Sequence, residues 1–240
     1  MKFENTEVFN FRGALRGMRA PLESWDKSDT IYGEYYHIHK TDDEVIFPYP
    51  VPKIGPNDMK LAQNLVKGGP PHRKFLRQIE VCVDITAPLY WWKEFDTYKV
   101  GTTANSTSTM HKLATTPITR ECFEMDDFKT VIVFDKEPFD IDDFTNDVWD
   151  YIIDVCETLR KKYLETKDKR YWKELIRLLP ESWLQTRTVT MTYENIYNMV
   201  EYRKDHKLNE WSGKDDDTKD NFIKWVHTLP YADEFIFLEK

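Results

Sequence analysis

Two arginines near the carboxyl-terminal end of the sequence occupy positions where a positive charge needs a partner. Arg203 continues a helical series of steps of three, four and three residues that begins with Tyr193, Ile196 and Val200. A guanidinium on the apolar side of a helix is costly unless an anion meets it, and its planar fork matches a phosphate or the two acceptors of a pyrimidine edge. An internal ion pair with one of the 42 acidic residues is the alternative.

Arg187 lies in the alternating segment TRTVTM, where it shares one face of a predicted strand with Val189 and Met191. If Arg187 and Arg203 both point inward from adjacent elements, they form a pocket for an anion. The alternative is an edge strand from which the Arg187 side chain extends to water.

The polar tract GTTANSTSTMHK offers further groups that could donate to phosphate oxygens, namely Asn105, Ser106, Thr107, Ser108 and His111. The tract lacks the glycine spacing of the known phosphate-binding loops, so a capped loop is the alternative. Tyr98 and Lys99 precede it at the end of a predicted aromatic helix. Lys99 could meet an anion or cap the helix terminus.

The elements that position these residues are indicated by hydrophobic periodicity. Alternation predicts strands at Phe3–Phe11, Phe75–Ile85, Val131–Phe134 and Thr186–Met191. Helical spacing predicts helices at Arg12–Arg19, Pro56–Val66, LYWWKEFDTY, Asp142–Tyr163, Tyr171–Leu179, Tyr193–Tyr202 and Phe222–Leu229. Three segments are expected to be irregular or solvated: residues 26–56, the tract GTTANSTSTMHK, which is a loop or a frayed helix start, and LNEWSGKDDDTKDN.

Composition favours a single globular domain over residues 1–240, because 40% hydrophobic and 15% aromatic residues can form a substantial core. The formal net charge of −8, with no block of Lys and Arg, argues against polymeric nucleic acid as a partner. The three cysteines and the pair His37 and His39 lack the spacing of a metal site, so no metal is expected. With no apolar stretch long enough to span a bilayer and no signal sequence, we expect no membrane partner and a cytoplasmic protein.

Two long runs carry a family resemblance. The first, IEVCVDITAPLYWWKEFDTYKVGTTANSTSTMHKL, combines a strand, an Ala-Pro start, an aromatic helix and a hydroxyl-rich loop. The second, LLPESWLQTRTVTMTYENIYNMVEYRKDH, contains a Leu-Pro, a Thr-Arg and a last arginine at matching spacing. Together with ALRGMRAPLESW upstream, they resemble the flavin-dependent thymidylate synthases over most of the chain.

The resemblance implies an α/β (α+β) fold with a central sheet and flanking helices, and a homotetramer whose active sites are built from several subunits. Extra material relative to the family falls near residues 26–56 and 120–145. The resemblance places Arg203 against the substrate pyrimidine, as a catalytic residue, and Arg187 against substrate phosphate or sugar. It places Asn105 and residues 106–108 in the loop around the nucleotide phosphate. With it, the functional reading of Arg203 outweighs the internal ion pair.

The flavin side departs from the family pattern. Its Arg-His-Arg triplet aligns with Thr97-Tyr98-Lys99, and its Asn-x-Arg pair aligns with Thr192-Tyr193-Glu194. These replacements remove bidentate donors that match a diphosphate, and Glu194 is expected to repel one. A rebuilt pocket would use Lys99, Tyr98 and either Trp91 or Trp92, whose aromatic faces could stack on a flavin.

The resulting hypothesis is a diverged enzyme that binds a pyrimidine nucleotide such as dUMP and transfers a methyl or one-carbon group to it with FAD. The alternative is a non-catalytic homologue that binds a nucleotide or a protein without flavin. A third reading is a different enzyme that uses the scaffold without flavin.

Overall fold

The structure is a computed structural model that describes residues 1–33, 37–40, 43–125, 131–134 and 137–238. Within it the chain forms two compact units. The first contains residues 1–85, 95–105 and 187–240, and the second contains residues 86–94 and 106–186. The prediction of a single domain over 1–240 stays a prediction.

The described residues form strands and helices in an α/β arrangement, as the sequence predicted. The strands are β1 (Lys2–Phe9), β2 (His37–Lys40), β3 (Asp43–Ile46), β4 (Glu80–Pro88), β5 (Thr103–Ser106), β6 (Val131–Phe134), β7 (Glu137–Asp140) and β8 (Leu184–Thr192). The helices are α1 (Phe11–Arg19), α2 (Pro56–Lys67), α3 (Leu89–Phe95), α4 (Thr109–Lys112), α5 (Ile141–Thr166), α6 (Lys169–Leu178), α7 (Tyr193–Arg203), α8 (Asn209–Ser212), α9 (Phe222–His227) and α10 (Ala232–Phe235). Short 3-10 turns at Lys74–Arg77 and Asp96–Tyr98 matter for the site below.

The main sheet has four strands in the spatial order β1-β4-β8-β5. Alternate residues of β4 are fully buried, among them Val81, Val83 and Ile85. Between them, the Asp84 carboxylate accepts hydrogen bonds from Asn5 on β1, at 2.8 Å, and from Thr188 on β8, at 2.5 Å. This polar ladder joins three adjacent strands and helps to fix their register.

Asp58, in the first turn of α2, is a buried hub of the first unit. Its carboxylate accepts from the Arg19 Nε at 2.5 Å, and from the hydroxyls of Ser28 and Thr30 at 2.6 and 2.5 Å. Burial alone would raise the pKa of this carboxyl, but the hydrogen bonds from Ser28, Thr30 and Arg19 outweigh burial and lower it. The charged form therefore ties the end of α1 and the following segment to α2.

The second unit is built around the hairpin of α5 and α6. One face of the hairpin packs into an apolar cluster that consists of Leu113, Ile118, Phe123, Ile153, Cys156 and Leu175. Glu157 on α5 accepts a hydrogen bond from the backbone N–H of Ile118 at 2.9 Å, and Arg160 holds the pKa of Glu157 down at about 2. This charged Glu157 therefore anchors the chain near Ile118 to the hairpin.

Most predicted elements are confirmed, and the departures have local causes. Residues 26–56 are not wholly irregular, since β2 and β3 pair as an antiparallel hairpin with His37 opposite Ile46. The strand predicted to start at Phe75 begins at Glu80, after a 3-10 turn, and ends with Ala87 and Pro88 rather than before them. A proline is tolerated there because it is the last residue of the strand.

Two polar segments contain more structure than their composition indicates. Residues 103–106 of the hydroxyl-rich tract form the exposed strand β5, which pairs with β8 at the edge of the main sheet. The segment predicted to be solvated after residue 207 contains α8, whose Trp211 is fully buried. Residues 126–130, 135 and 136 of the predicted insertion lie outside the described residues. None of the helices within the described ranges is both long and apolar enough to cross a membrane.

Candidate nucleotide site

Arg203 lies on the last turn of α7, and its side chain is partly buried between two aromatic rings. Its Nε donates a hydrogen bond to the Tyr98 hydroxyl at 2.9 Å. Its Cζ lies 5.4 Å from the centre of the Tyr98 ring and 5.0 Å from the centre of the Trp211 ring, both within cation–π range. The helical spacing therefore placed Arg203 correctly on the inner side of α7, below the buried Ile196 and Val200.

Arg187 lies on β8, on the side of the strand that carries the buried Val189 and Met191. Its side chain is only 16% exposed, and its Nη1 contacts the Asp96 carboxylate at 2.8 Å. Arg187 therefore does not extend to water. Asp96 begins the 3-10 turn that ends at Tyr98, so Arg187 and Arg203 hold opposite ends of the same turn.

This turn, Asp96–Tyr98, forms part of the wall of a cavity of about 650 Å³ within the first unit. Four of the five residues predicted on the flavin side line it, namely Thr97, Tyr98, Thr192 and Glu194, together with Arg77, Val100, Gly101, Asn195 and Asn198. Lys99 is exposed and is not part of the lining. The structure therefore brings the two predicted flavin segments together, although they are far apart in sequence.

The amino-terminal end of α7 fixes the opposite wall of this cavity. Thr192 and Asn195 form a capping box: the Thr192 hydroxyl accepts from the Asn195 N–H at 3.3 Å, and the Asn195 side chain accepts from the Thr192 N–H at 3.0 Å. The same Asn195 side chain donates to the Val100 carbonyl at 2.8 Å. Gly101 follows with a φ of +80°, a conformation that favours glycine. The loop after Tyr98 is thereby held against α7.

Glu194 does not bring the uncompensated negative charge that the sequence predicted. Its carboxylate contacts the Arg73 Nε at 3.1 Å, and both side chains are less than 10% exposed. Arg73 also donates to the Asn198 side chain at 3.1 Å, and its guanidinium lies 3.9 Å from the centre of the Tyr197 ring. Arg73 therefore neutralises Glu194 inside the protein, and repulsion of an anion by Glu194 is cancelled.

A second cation makes this wall of the cavity net positive. The Arg77 Nη2 lies 3.8 Å from the Glu194 carboxylate, and the Arg77 side chain is 52% exposed where it lines the cavity. Two guanidiniums thus face one carboxylate. Sequence reasoning missed both arginines, because the contact of Arg73 with Glu194 joins residues 121 positions apart and no local pattern indicates it.

Two expectations about tryptophans near the site are wrong. Trp91 and Trp92, which were expected to offer a stacking face, are buried in the core, with exposed fractions of 0% and 1%, so they offer no surface to a ligand. The Trp92 Nε1 donates to the Gln185 carbonyl at 2.9 Å. Trp211, in the segment predicted to be solvated, instead packs on the Arg203 guanidinium.

The hydroxyl-rich loop is divided between the two units, since Asn105 belongs to the first and residues 106–108 belong to the second. Asn105 and Ser106 are exposed on β5. The backbone of Thr107 is fixed on both sides, by its N–H to the Thr186 carbonyl at 2.9 Å and by its carbonyl to the Gln185 side chain at 3.0 Å. The Ser108 hydroxyl caps the short helix α4 by accepting from the His111 N–H at 3.2 Å.

The Arg73–Glu194 pair predicts a large difference between two neighbouring arginines. Arg73→Ala leaves a buried carboxylate without its ion pair and should lower the free energy of unfolding by about 3–5 kcal/mol. Arg77→Ala removes a half-exposed charge and should cost less than about 1 kcal/mol. Urea unfolding of both variants measures the difference.

The double variant Arg73→Ala/Glu194→Gln provides the control, since it removes the unpaired charge and should recover part of the stability lost in Arg73→Ala. If Arg73→Ala and Arg77→Ala lower the free energy of unfolding equally, Arg73 is not the residue that neutralises Glu194.

Comparison with known proteins identifies the fold. No protein-family model matches the sequence, and no curated protein sequence matches it. Among solved structures, the flavin-dependent thymidylate synthase ThyX from Helicobacter pylori, complexed with FAD and dUMP, aligns over 99% of this chain and 98% of its own, with a TM-score of 0.61 and 15% identity. A second structure of that enzyme with FAD and dUMP aligns over 99% of this chain and 97% of its own, with a TM-score of 0.60 and 16% identity.

A third solved structure matches less of the chain. PolB from Streptomyces cacaoi, a UMP/dUMP methylase bound with 5-Br dUMP, aligns over 83% of this chain and 76% of its own, with a TM-score of 0.51 and 12% identity. The resemblance that the sequence motifs indicated is thereby confirmed at the level of structure. The chain has the fold of the flavin-dependent thymidylate synthases.

Proposed function

We propose that this protein binds a pyrimidine nucleotide such as dUMP and transfers a methyl or other one-carbon group to its ring, with a flavin in the neighbouring cavity. The observation that carries the proposal is the convergence of Arg187 and Arg203 on the turn Asp96–Tyr98, which itself lines the cavity. The relatives support it, because the Helicobacter pylori enzyme was solved with FAD and dUMP and the Streptomyces cacaoi protein is a UMP/dUMP methylase.

Arg203 is the residue that we assign to the pyrimidine. Its planar guanidinium can donate two parallel hydrogen bonds to the adjacent acceptors of a pyrimidine edge. Tyr98 and Trp211 fix the plane of that guanidinium before a ligand arrives, so less side-chain entropy is lost on binding. A fixed positive charge beside the ring also stabilises negative charge that develops there during group transfer, which is the catalytic role of Arg203.

Arg187 and the hydroxyl-rich loop are assigned to the phosphate and sugar of the nucleotide. Arg187 is held by Asp96 and therefore keeps a defined position on β8. In the loop, Asn105 and residues 106–108 contribute amide, hydroxyl and backbone donors, which suit phosphate oxygens. These assignments follow the family resemblance.

The cavity beside Tyr98 fits a flavin nucleotide by the chemistry of its donor set. Thr97, Thr192 and Asn198 are polar and uncharged, which suits the ring system, and Arg77 offers a guanidinium to a phosphate. Glu194 is internally neutralised and positions Arg77 rather than contacting the ligand. Lys99, which is exposed and directly follows Tyr98, is assigned to a phosphate. A bound reduced flavin would supply the electron pair that reduces the transferred one-carbon group to a methyl group.

The family resemblance also implies assembly, and we propose a homotetramer whose subunits complete each other's sites. Light scattering during size-exclusion chromatography should give four times the chain mass of 28.8 kDa. A monomer at micromolar concentration would contradict shared sites.

Binding of dUMP should depend on Arg203. Saturating dUMP, at about a hundred times its dissociation constant, should stabilise the protein by about 2.7 kcal/mol and raise the melting temperature by several degrees. Arg203→Ala should weaken dUMP at least about tenfold, because a charge-assisted contact is lost. Tyr98→Phe, which removes the acceptor of the Arg203 Nε, should weaken dUMP by a smaller factor. Calorimetric titration measures these affinities.

Arg177→Ala is the matched control, because Arg177 is an exposed arginine on α6 that pairs with Glu174 in its own helix. Its dUMP affinity should equal that of the wild type. An unchanged dUMP affinity in Arg203→Ala would remove Arg203 from the site. Parallel titrations with dTMP and dCMP report on which pyrimidine edge the guanidinium prefers.

Binding of FAD should depend on Arg77 rather than on the lost triplet. The purified protein should take up FAD with the yellow absorbance of a bound flavin, and Arg77→Ala should weaken that binding at least about tenfold. Lys74→Ala is the control, since Lys74 is an exposed cation on the same 3-10 turn and does not line the cavity.

The replaced triplet at residues 97–99 specifically favours the second candidate, a non-catalytic homologue that binds a nucleotide or a protein without flavin. A colourless protein that gains no thermal stability from FAD but retains dUMP binding would select this candidate. If neither FAD nor dUMP binds, nucleotide binding is rejected for the catalytic candidate and for the non-catalytic candidate.

A further inference from the structure

A second cavity of about 650 Å³ opens beside α1 in the first unit and shares no lining residue with the cavity at Tyr98. One wall is a single face of α1, formed by Arg12, Gly13, Arg16 and Gly17. The lining also includes Trp25 and Tyr32. The cavity thus combines a helix face that carries two cations with two aromatic rings.

Of the three arginines that line this cavity, two are not neutralised by a carboxylate of the described residues. Arg19 also lines the cavity, but it is buried and its charge is matched by Asp58. Arg12 and Arg16 are exposed, and neither forms an ion pair with any residue that the structure describes. In a chain with a net charge of −8, two such guanidiniums four residues apart mark a local site for an anion.

The aromatic wall is held in place by the same helix. The Trp25 Nε1 donates to the Arg16 carbonyl at 3.2 Å, so the polar group of the indole is satisfied while 48% of the residue remains exposed. The Arg12 Cζ lies 4.7 Å from the centre of the Tyr32 ring, which orients that guanidinium. Trp25 therefore presents an exposed, anchored aromatic surface beside oriented positive charge.

Two glycines also line this cavity. Gly13 and Gly17 lie on the cavity side of α1, one residue after each arginine. A Cβ on Gly17 would lie 2.5 Å from the Oε1 of Gln78, so a larger residue there would displace the Gln78 side chain, which also lines the cavity. The groove therefore combines two guanidiniums with an aromatic surface.

We propose that this groove binds a nucleoside phosphate, with the phosphates on Arg12 and Arg16 and the base against the indole of Trp25. Paired guanidiniums match phosphate oxygens, and a fixed aromatic face stacks on any base. The site is separate from the nucleotide site at Arg203 and does not rest on the proposed function.

The test is calorimetric titration of the full chain with ATP, and separately with tripolyphosphate and adenosine. ATP should bind saturably and more tightly than either part. Arg12→Ala/Arg16→Ala should weaken ATP and tripolyphosphate at least about tenfold. Trp25→Leu should weaken ATP at least about fivefold and leave tripolyphosphate within about twofold.

Lys53→Ala/Lys60→Ala is the matched control, because it removes two exposed positive charges of the same unit that line neither cavity. It should leave the ATP affinity within about twofold, as should Arg203→Ala, which separates this site from the proposed dUMP site. The proposal fails if the wild type shows no saturable ATP binding, if the lysine control loses as much affinity as the arginine variant, or if Trp25→Leu binds ATP as the wild type does. The Trp25→Leu comparison stands even if the double arginine variant misfolds.

Discussion

A guanidinium that is withdrawn from water must meet a carboxylate, an acceptor or an aromatic face, and this constraint organises the site. Arg73 meets Glu194, Arg187 meets Asp96, and Arg203 meets Tyr98 and Trp211. The contacts of Arg73 with Glu194, of Arg187 with Asp96 and of Arg203 with Tyr98 join segments that are distant in sequence. Together they fix the 3-10 turn Asp96–Tyr98 and the start of α7, which are the two walls of the cavity.

The proposed function uses the same contacts to account for the side chains that stand where the thymidylate synthases have their charged triplet. A fold-level match at about 15% identity leaves the binding chemistry to the residues themselves. In the proposal, Arg77, which lies on a different segment, takes the cationic role in place of residues 97–99. Arg73 makes this possible because it cancels the charge of Glu194, which would otherwise oppose an anion.

Local patterns in the sequence predicted the helices and strands in which one buried face sets the spacing of the apolar residues. The steps of three and four residues in α7 placed Arg203 on the inner face, and alternation in β8 placed Arg187 beside Val189 and Met191. Both predictions needed only the geometry of one helix or one strand.

Other features depend on contacts between distant segments, and no local pattern contains them. The neutralisation of Glu194 requires Arg73, 121 positions away in the chain. The burial of Trp211 in a polar segment results from packing on Tyr98 and Phe222, while Trp91 and Trp92 are withdrawn from any ligand because they form the core. Sequence reasoning therefore named segments that line one cavity, but it missed Arg73 and Arg77 and expected Trp91 and Trp92 to be accessible.

The central claim is that a pyrimidine nucleotide lies against the guanidinium that Tyr98 and Trp211 hold. A crystal structure of the protein grown with dUMP tests it most directly. The account predicts nucleotide density with the pyrimidine within hydrogen-bonding distance of Arg203 and beside the Tyr98 cavity. Density for dUMP at another place, with Arg203 contacting only protein groups, would contradict it.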